Sequence, residues 1–162
     1  MQEEGGYQMF KQPDVTRNTN SNWLYSLRDR YRIRLKNAPY EFGVNENVDH
    51  DYFKMRPVRY PDRPTELDLL IEKYYAWDGA TKMPIFLQTY DLILPTLIHD
   101  IFCQATNEGL LKWDPWRKYG DKQFKYLYCE TKKYSGENYI IRANILYGAV
   151  RLNSIFQGLR RN

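Results

Sequence analysis

His99 and Asp100 stand side by side in a segment whose apolar residues recur at helical spacing, and two further acids, Asp78 and Asp121, lie in the flanking segments. One imidazole among several carboxylates can bind a divalent metal or act as a carboxylate-oriented general base. Neighbours on a helix point about 100° apart. His99 therefore falls near Phe102 and Cys103 at the edge of the apolar face, while Asp100 points toward Thr96 and Gln104. Asp78 belongs to the loop Trp77-Asp78-Gly79-Ala80-Thr81 just before this helix. Asp121 lies one to two turns into the next helix, where an antiparallel hairpin would set it opposite His99 or Asp100. The candidate catalytic residues are thus His99, Asp100 and Asp121, and the candidate metal ligands Asp78 and Asp100. The same residues also suit a buried polar cluster that pins a strand-to-helix loop onto two helices. His50, between Asp49 and Asp51, reads as a solvated surface residue. The chain has no G-x-x-x-x-G-K-[ST], Cys-x-x-Cys or H-E-x-x-H motif.

Helices must carry most of this cluster. Pro95 suits a first helical turn, and Leu97, Ile98, Ile101, Phe102 and Ala105 then fall on one face until Asn107-Glu108-Gly109 ends the pattern. Asp114-Pro115, an N-cap followed by Pro at the first helical position, opens a second helix that runs through Phe124, Leu127 and Tyr128 to about Tyr134. A third extends from about Glu137 to Phe156, with Ile141, Ile145, Gly148, Leu152 and Ile155 on one stripe. Upstream, Tyr31, Ile33 and Leu35 alternate with Arg32, Arg34 and Lys36, as in a half-buried strand. Tyr40 to Val44 can be a second strand, and Leu67 to Tyr75 a third, ending at the turn Asp78-Gly79. The stretch 45–64, rich in Asn, Asp, Arg and Pro, reads as a long loop insertion of the kind that is functional or partner-bound. Residues 1–22 read as a polar arm with no core of its own. Strands followed by helices predict an α+β fold: N-terminal antiparallel strands, then a packed bundle of about three helices, in one domain over 23–162.

Bulk composition agrees with a globular domain. Hydrophobic residues are 43% and charged residues 27% of the 162, which excludes wholesale disorder. The net charge of +4 comes from interspersed bases and acids, without the concentrated stripe of a nucleic-acid binder. No apolar run reaches the length of a membrane span, and the N-terminus lacks the pattern of a signal peptide. Cys103 and Cys129 sit in apolar helical patterns and read as buried free thiols. Aromatic residues make up 16%, an excess that favours surfaces buried against a partner. Candidate partner-binding residues are Tyr52, Phe53 and Tyr60 in the insertion, and Arg160 and Arg161 at the end of the third helix.

Four stretches, in order, resemble a family of small proteins from tailed bacteriophages and prophages, catalogued as a domain of unknown function. Its pattern is D-[GF]-A-S-x-P, H-D-x-x-Y, A-D-x-x-F and R-A-x-x-x-Y-x-A-V-R. Here the counterparts are Asp78-Gly79-Ala80-Thr81-Lys82-Met83-Pro84, His99-Asp100-Ile101-Phe102-Cys103, Gly120-Asp121-Lys122-Gln123-Phe124, and Arg142-Ala143-Asn144-Ile145-Leu146-Tyr147-Gly148-Ala149-Val150-Arg151. The likeness spans about residues 31–152. Thr81 replaces Ser, one extra residue precedes Pro84, Cys103 replaces Tyr, Gly120 replaces Ala, and the stretch 45–64 is not typical. The resemblance implies a structural protein of the virion, in the tail or at the head–tail junction. Such a protein would be made in the host cytoplasm and act through contacts with other phage structural proteins, in multiple copies of a symmetric assembly. The His-Asp pair facing an Asp on the next helix also resembles the phospholipase A2 dyad. That likeness implies a small hydrolase in which His99 is the base, Asp100 a ligand to calcium or another divalent metal, and Asp121 the orienting acid. A third expectation is a cytoplasmic accessory protein that binds a host factor.

Overall fold

A computed structural model describes residues 11–18, 25–40, 47–79, 89–133, 135 and 138–160. Within them, seven strands precede three helices, in the order β1 (Val15–Arg17), β2 (Tyr25–Leu27), β3 (Tyr31–Leu35), β4 (Val48–Asp49), β5 (Phe53–Val58), β6 (Glu66–Ile71), β7 (Ala76–Trp77), α1 (Ile93–Asn107), α2 (Trp113–Lys132) and α3 (Tyr139–Leu159). The expected α+β class holds, with antiparallel strands in two sheets ahead of three helices.

The larger sheet runs β3-β6-β5-β4. Its register sets Ile33 opposite Leu69, Leu35 opposite Leu67, and Phe53 opposite Ile71, so one face is continuously apolar. That face is buried, whereas Arg32, Arg34 and Lys54 point to solvent. Across the outer face Arg32 grips Asp68 with two nitrogens. The smaller sheet, β1-β2-β7, joins three short strands.

Three expectations change here. The stretch 45–64 is not a loop insertion, because it supplies β4 and β5, and β5 lies inside the sheet between β6 and β4. Phe53 and Met55 alternate with Lys54 and Arg56, a period of two that the surrounding Asn, Asp and Pro obscure. The presumed strand from Leu67 to Tyr75 stops at Ile71. Tyr74 then turns the chain with φ +71°, and Ala76–Trp77 crosses to the other sheet. The described part of the arm, residues 11–18, is not free of the fold: β1 pairs with β2, and the Tyr31 hydroxyl donates to the Lys11 carbonyl at 2.7 Å. Residues 41–44, including most of the expected second strand, lie outside the described residues.

The sheets present their apolar side to α1 and α2, and Leu97, Ile98, Ile101, Phe102 and Trp116 complete one core with the strand residues. A second core, of Leu92, Phe124, Tyr128, Ala143, Leu146 and Val150, holds α3 against α2. The carbonyl of Lys36, just after β3, accepts bonds from the Tyr119 hydroxyl and the Gln123 amide, which docks the sheet on α2. Gly109, at φ +75°, follows the end of α1 as expected. Asp114 keeps extended dihedrals, so regular helical geometry in α2 begins at Pro115.

Helix α3 departs from expectation. Its Ile141, Ile145, Leu152 and Ile155 stripe faces solvent, and the buried residues are Ala143, Leu146, Val150 and Ser154.

Candidate functional site

The site grows from α1. His99 lies on the side of this helix that meets α2, and its Nε2 is 2.9 Å from Oδ1 of Asp121. The antiparallel α1–α2 pair is what brings them together, and of the two residues the spacing allows opposite Asp121, His99 and not Asp100 takes the place. Asp121 is wholly buried, and its remaining acceptor capacity is filled from α3. The Ser154 hydroxyl donates to Oδ1 at 2.9 Å, and Arg151 Nη1 donates to Oδ2 at 3.1 Å. Ser154 in turn accepts from Nε of Arg117, whose Nη2 donates to Gln157. All three helices therefore contribute to one hydrogen-bonded chain.

A carboxylate only accepts hydrogen bonds, so His99 Nε2 carries the proton and Nδ1 faces the other way. Oδ1 of Asp100 stands 3.7 Å from Nδ1, and the Cys103 thiol lies beside the ring, 3.5 Å from Nδ1 and 3.8 Å from Nε2. Burial pushes the His99 imidazole down, but Cys103, Asp100 and Asp121 outweigh it and hold the ring well above the ordinary histidine value. Burial pushes the Asp121 carboxyl up, and the bonds from His99, Ser154 and Arg151, with the His99 charge, hold it below the usual carboxylate range.

This cluster opens on a pocket of about 670 Å³. His99, Asp100 and Cys103 line it from α1, and Tyr52, Tyr74 and Asp78 line it from the strand half. Its size is that of a small-molecule site. Tyr74, one of the lining residues, is also one of two non-glycine residues with positive φ among the described residues, a conformation that side chains with a Cβ disfavour. No family model, curated protein or solved structure matches this chain.

Asp78 lines the pocket without joining the convergent donors. Among the described residues, the group of three or more His, Cys and carboxylate residues whose donors all lie within 4.8 Å of one another is His99, Asp100 and Cys103. Of the two expected metal ligands, both line the pocket and Asp100 alone belongs to this group. Cys103 was missed as a site residue because its apolar surroundings suggest packing, yet its position four residues after His99 places the two on one helical face. Both cysteines are free, and both are partly exposed rather than buried. Ser154, Arg151 and Arg117 were missed as well. The sequence carries few signals for them: Arg151 closes the fourth stretch, and Ser154 stands among apolar residues of α3.

Elsewhere the expected residues scatter. His50 is largely covered rather than solvated: it stacks on Phe53, accepts from the Tyr52 amide, and its Nε2 lies 3.2 Å from Glu108 at the end of α1. Phe53, expected to bind a partner, is fully buried in the core and presents no surface. Tyr60 is half-buried between Glu66 and Arg34, with Arg63 over its ring. Tyr52 is half exposed, Arg160 is exposed at the end of α3, and Arg161 lies outside the described residues. Among the described residues no helix is long and apolar enough to cross a membrane.

Proposed function

We propose that this chain is a structural subunit of a tailed-bacteriophage particle that works through protein–protein contacts. The observation that carries the reading is the outer face of α3. Ile140, Ile141, Ile145, Leu152, Ile155, Phe156 and Leu159 are each between 44% and 66% exposed, while the inner face holds only Ala, Leu, Val and Ser at its buried positions. Together these seven side chains leave on the order of 700 Å² of apolar surface in water, more than the ~300–600 Å² of the largest patch on a typical monomer. Residues 141, 145, 148, 152, 155 and 159 follow alternating steps of four and three, the seam spacing by which one helix receives another. Arg151, beside this seam, already pairs with Asp121, so its charge is partly neutralised within the chain. The four phage-like stretches supply the context for the partner: other structural proteins of the particle, in several copies.

Mass spectrometry of purified particles from the phage that encodes the chain tests this reading. The chain is expected in the particle at a stoichiometry of several copies, and its absence overturns the proposal.

A second reading, a small hydrolase, is favoured by the bond from His99 to a buried carboxylate and by the pocket that His99 lines. On that reading His99→Gln abolishes hydrolysis of ester substrates by the purified chain, and a wild type inactive toward them removes it.

A further inference from the structure

We propose that His99, Cys103 and Asp100 form a binding site for one divalent transition-metal ion of the zinc class, with Asp121 orienting the histidine. The proposal does not rest on the particle reading.

Zinc takes thiolate, imidazole and carboxylate together, at about 2.3 Å to sulfur and 2.0–2.1 Å to nitrogen, and a tetrahedral angle then separates sulfur from nitrogen by about 3.5 Å. The Cys103 sulfur stands 3.5 Å from Nδ1 of His99 and 3.8 Å from Nε2. Asp100 Oδ1 is 3.7 Å from the same nitrogen, and one donor atom from each of the three residues lies within 4.8 Å of the others. The three side chains thus stand close enough for one ion to gather them once the Cys103 side chain turns from beside the ring toward the Nδ1 lone pair.

The surroundings support the same assignment independently. Metal-bound histidines commonly donate their second N–H to a carboxylate, which fixes the ring and its tautomer. Asp121 does this for His99, and it is itself held by Ser154 and Arg151. Asp100 and Cys103 are partly exposed on the pocket, so an ion can reach them, and a fourth coordination position is left to water or a ligand. Calcium, which the phospholipase likeness implies, suits the set poorly because it takes six to eight oxygen ligands. Soft and borderline donors favour zinc instead. Cys103 stands where the phage pattern has tyrosine, so the site belongs to this chain and not to the pattern. Binding would deprotonate the Cys103 thiol and release that proton to solvent.

Cobalt(II) titration of the chelator-dialysed full chain tests the proposal, because cobalt reports both thiolate ligation and coordination number. Expected are a thiolate-to-cobalt charge-transfer band and intense visible bands of four-coordinate cobalt, saturating at one ion per chain and displaced by zinc. Cys103→Ala should abolish the charge-transfer band, and Cys129→Ala should leave it unchanged. Asp121→Asn should keep the band but weaken zinc binding by about 10–100-fold, the usual effect of losing an outer-shell partner. Circular dichroism establishes that each variant is folded, and if Cys103→Ala is not, Asp100→Asn should lower zinc affinity at least about 10-fold. A folded wild type without the charge-transfer band overturns the site, as does a band that survives Cys103→Ala.

Discussion

Asp121 accepts from three side chains on two other helices while lying wholly out of water. Removing it leaves the His99 ring, the Ser154 hydroxyl and the Arg151 guanidinium without their shared acceptor. A buried pair broken on one side costs about 3–5 kcal/mol, because the remaining charge stays desolvated. Asp121→Ala is expected to lower the unfolding free energy by that amount in urea titration at neutral pH. A loss below about 1 kcal/mol would mean that the network contributes little to stability. At this scale the sequence was partly legible. The spacing on successive helices was enough to set Asp121 opposite His99 or Asp100, because an antiparallel hairpin leaves few other arrangements, and the structure selects His99. Ser154 and Arg151 could not be found that way, since their arrival depends on how α3 is rotated against α2.

The α1–α2 pair owes its closeness to Gly120. A Cβ at that position would lie 2.7 Å from the Cβ of Phe102, which is fully buried and has no room to withdraw. Gly120→Ala should destabilise the protein by about 1–3 kcal/mol through overpacking, despite alanine's better helix propensity. Denaturant midpoints check this, and a stabilised variant would show that the helices separate at little cost. Helices were legible as elements because each repeats its apolar residues over several turns and ends at Gly or a polar turn. The strands were less so. β5 hides in a stretch whose Asn, Asp and Pro content points to a loop, and the break after Ile71 depends on Tyr74 adopting a backbone conformation that its residue type does not announce.

For the whole molecule, α3 is the element left incomplete, with apolar residues on both of its faces. Replacing Ile145 and Leu152 together with Glu should weaken self-association or co-assembly in sedimentation velocity, while the unfolding free energy moves by no more than about 0.5 kcal/mol per site, as for exposed positions generally. Leu146→Ala, on the opposite and buried face, should cost about 2–5 kcal/mol. If the outer pair proves as destabilising as the inner residue, the stripe is packed within the chain and the assembly reading loses its main support. The aromatic excess was a poor guide to this surface: Phe53, Tyr75 and Trp77 are core residues, and the exposed patch is mostly aliphatic. By itself the sequence determined the α+β order, the three helices and the placing of Asp121 on the helix after His99 and Asp100, because periodicity and turn chemistry act over a few residues. Only the tertiary structure decided that the apolar stripe of α3 points outward, that β5 lies within the sheet, and that Ser154 and Arg151 close on Asp121. Those outcomes depend on which of two apolar faces, or which strand edge, finds a partner across the fold, a competition that spacing along the chain does not encode.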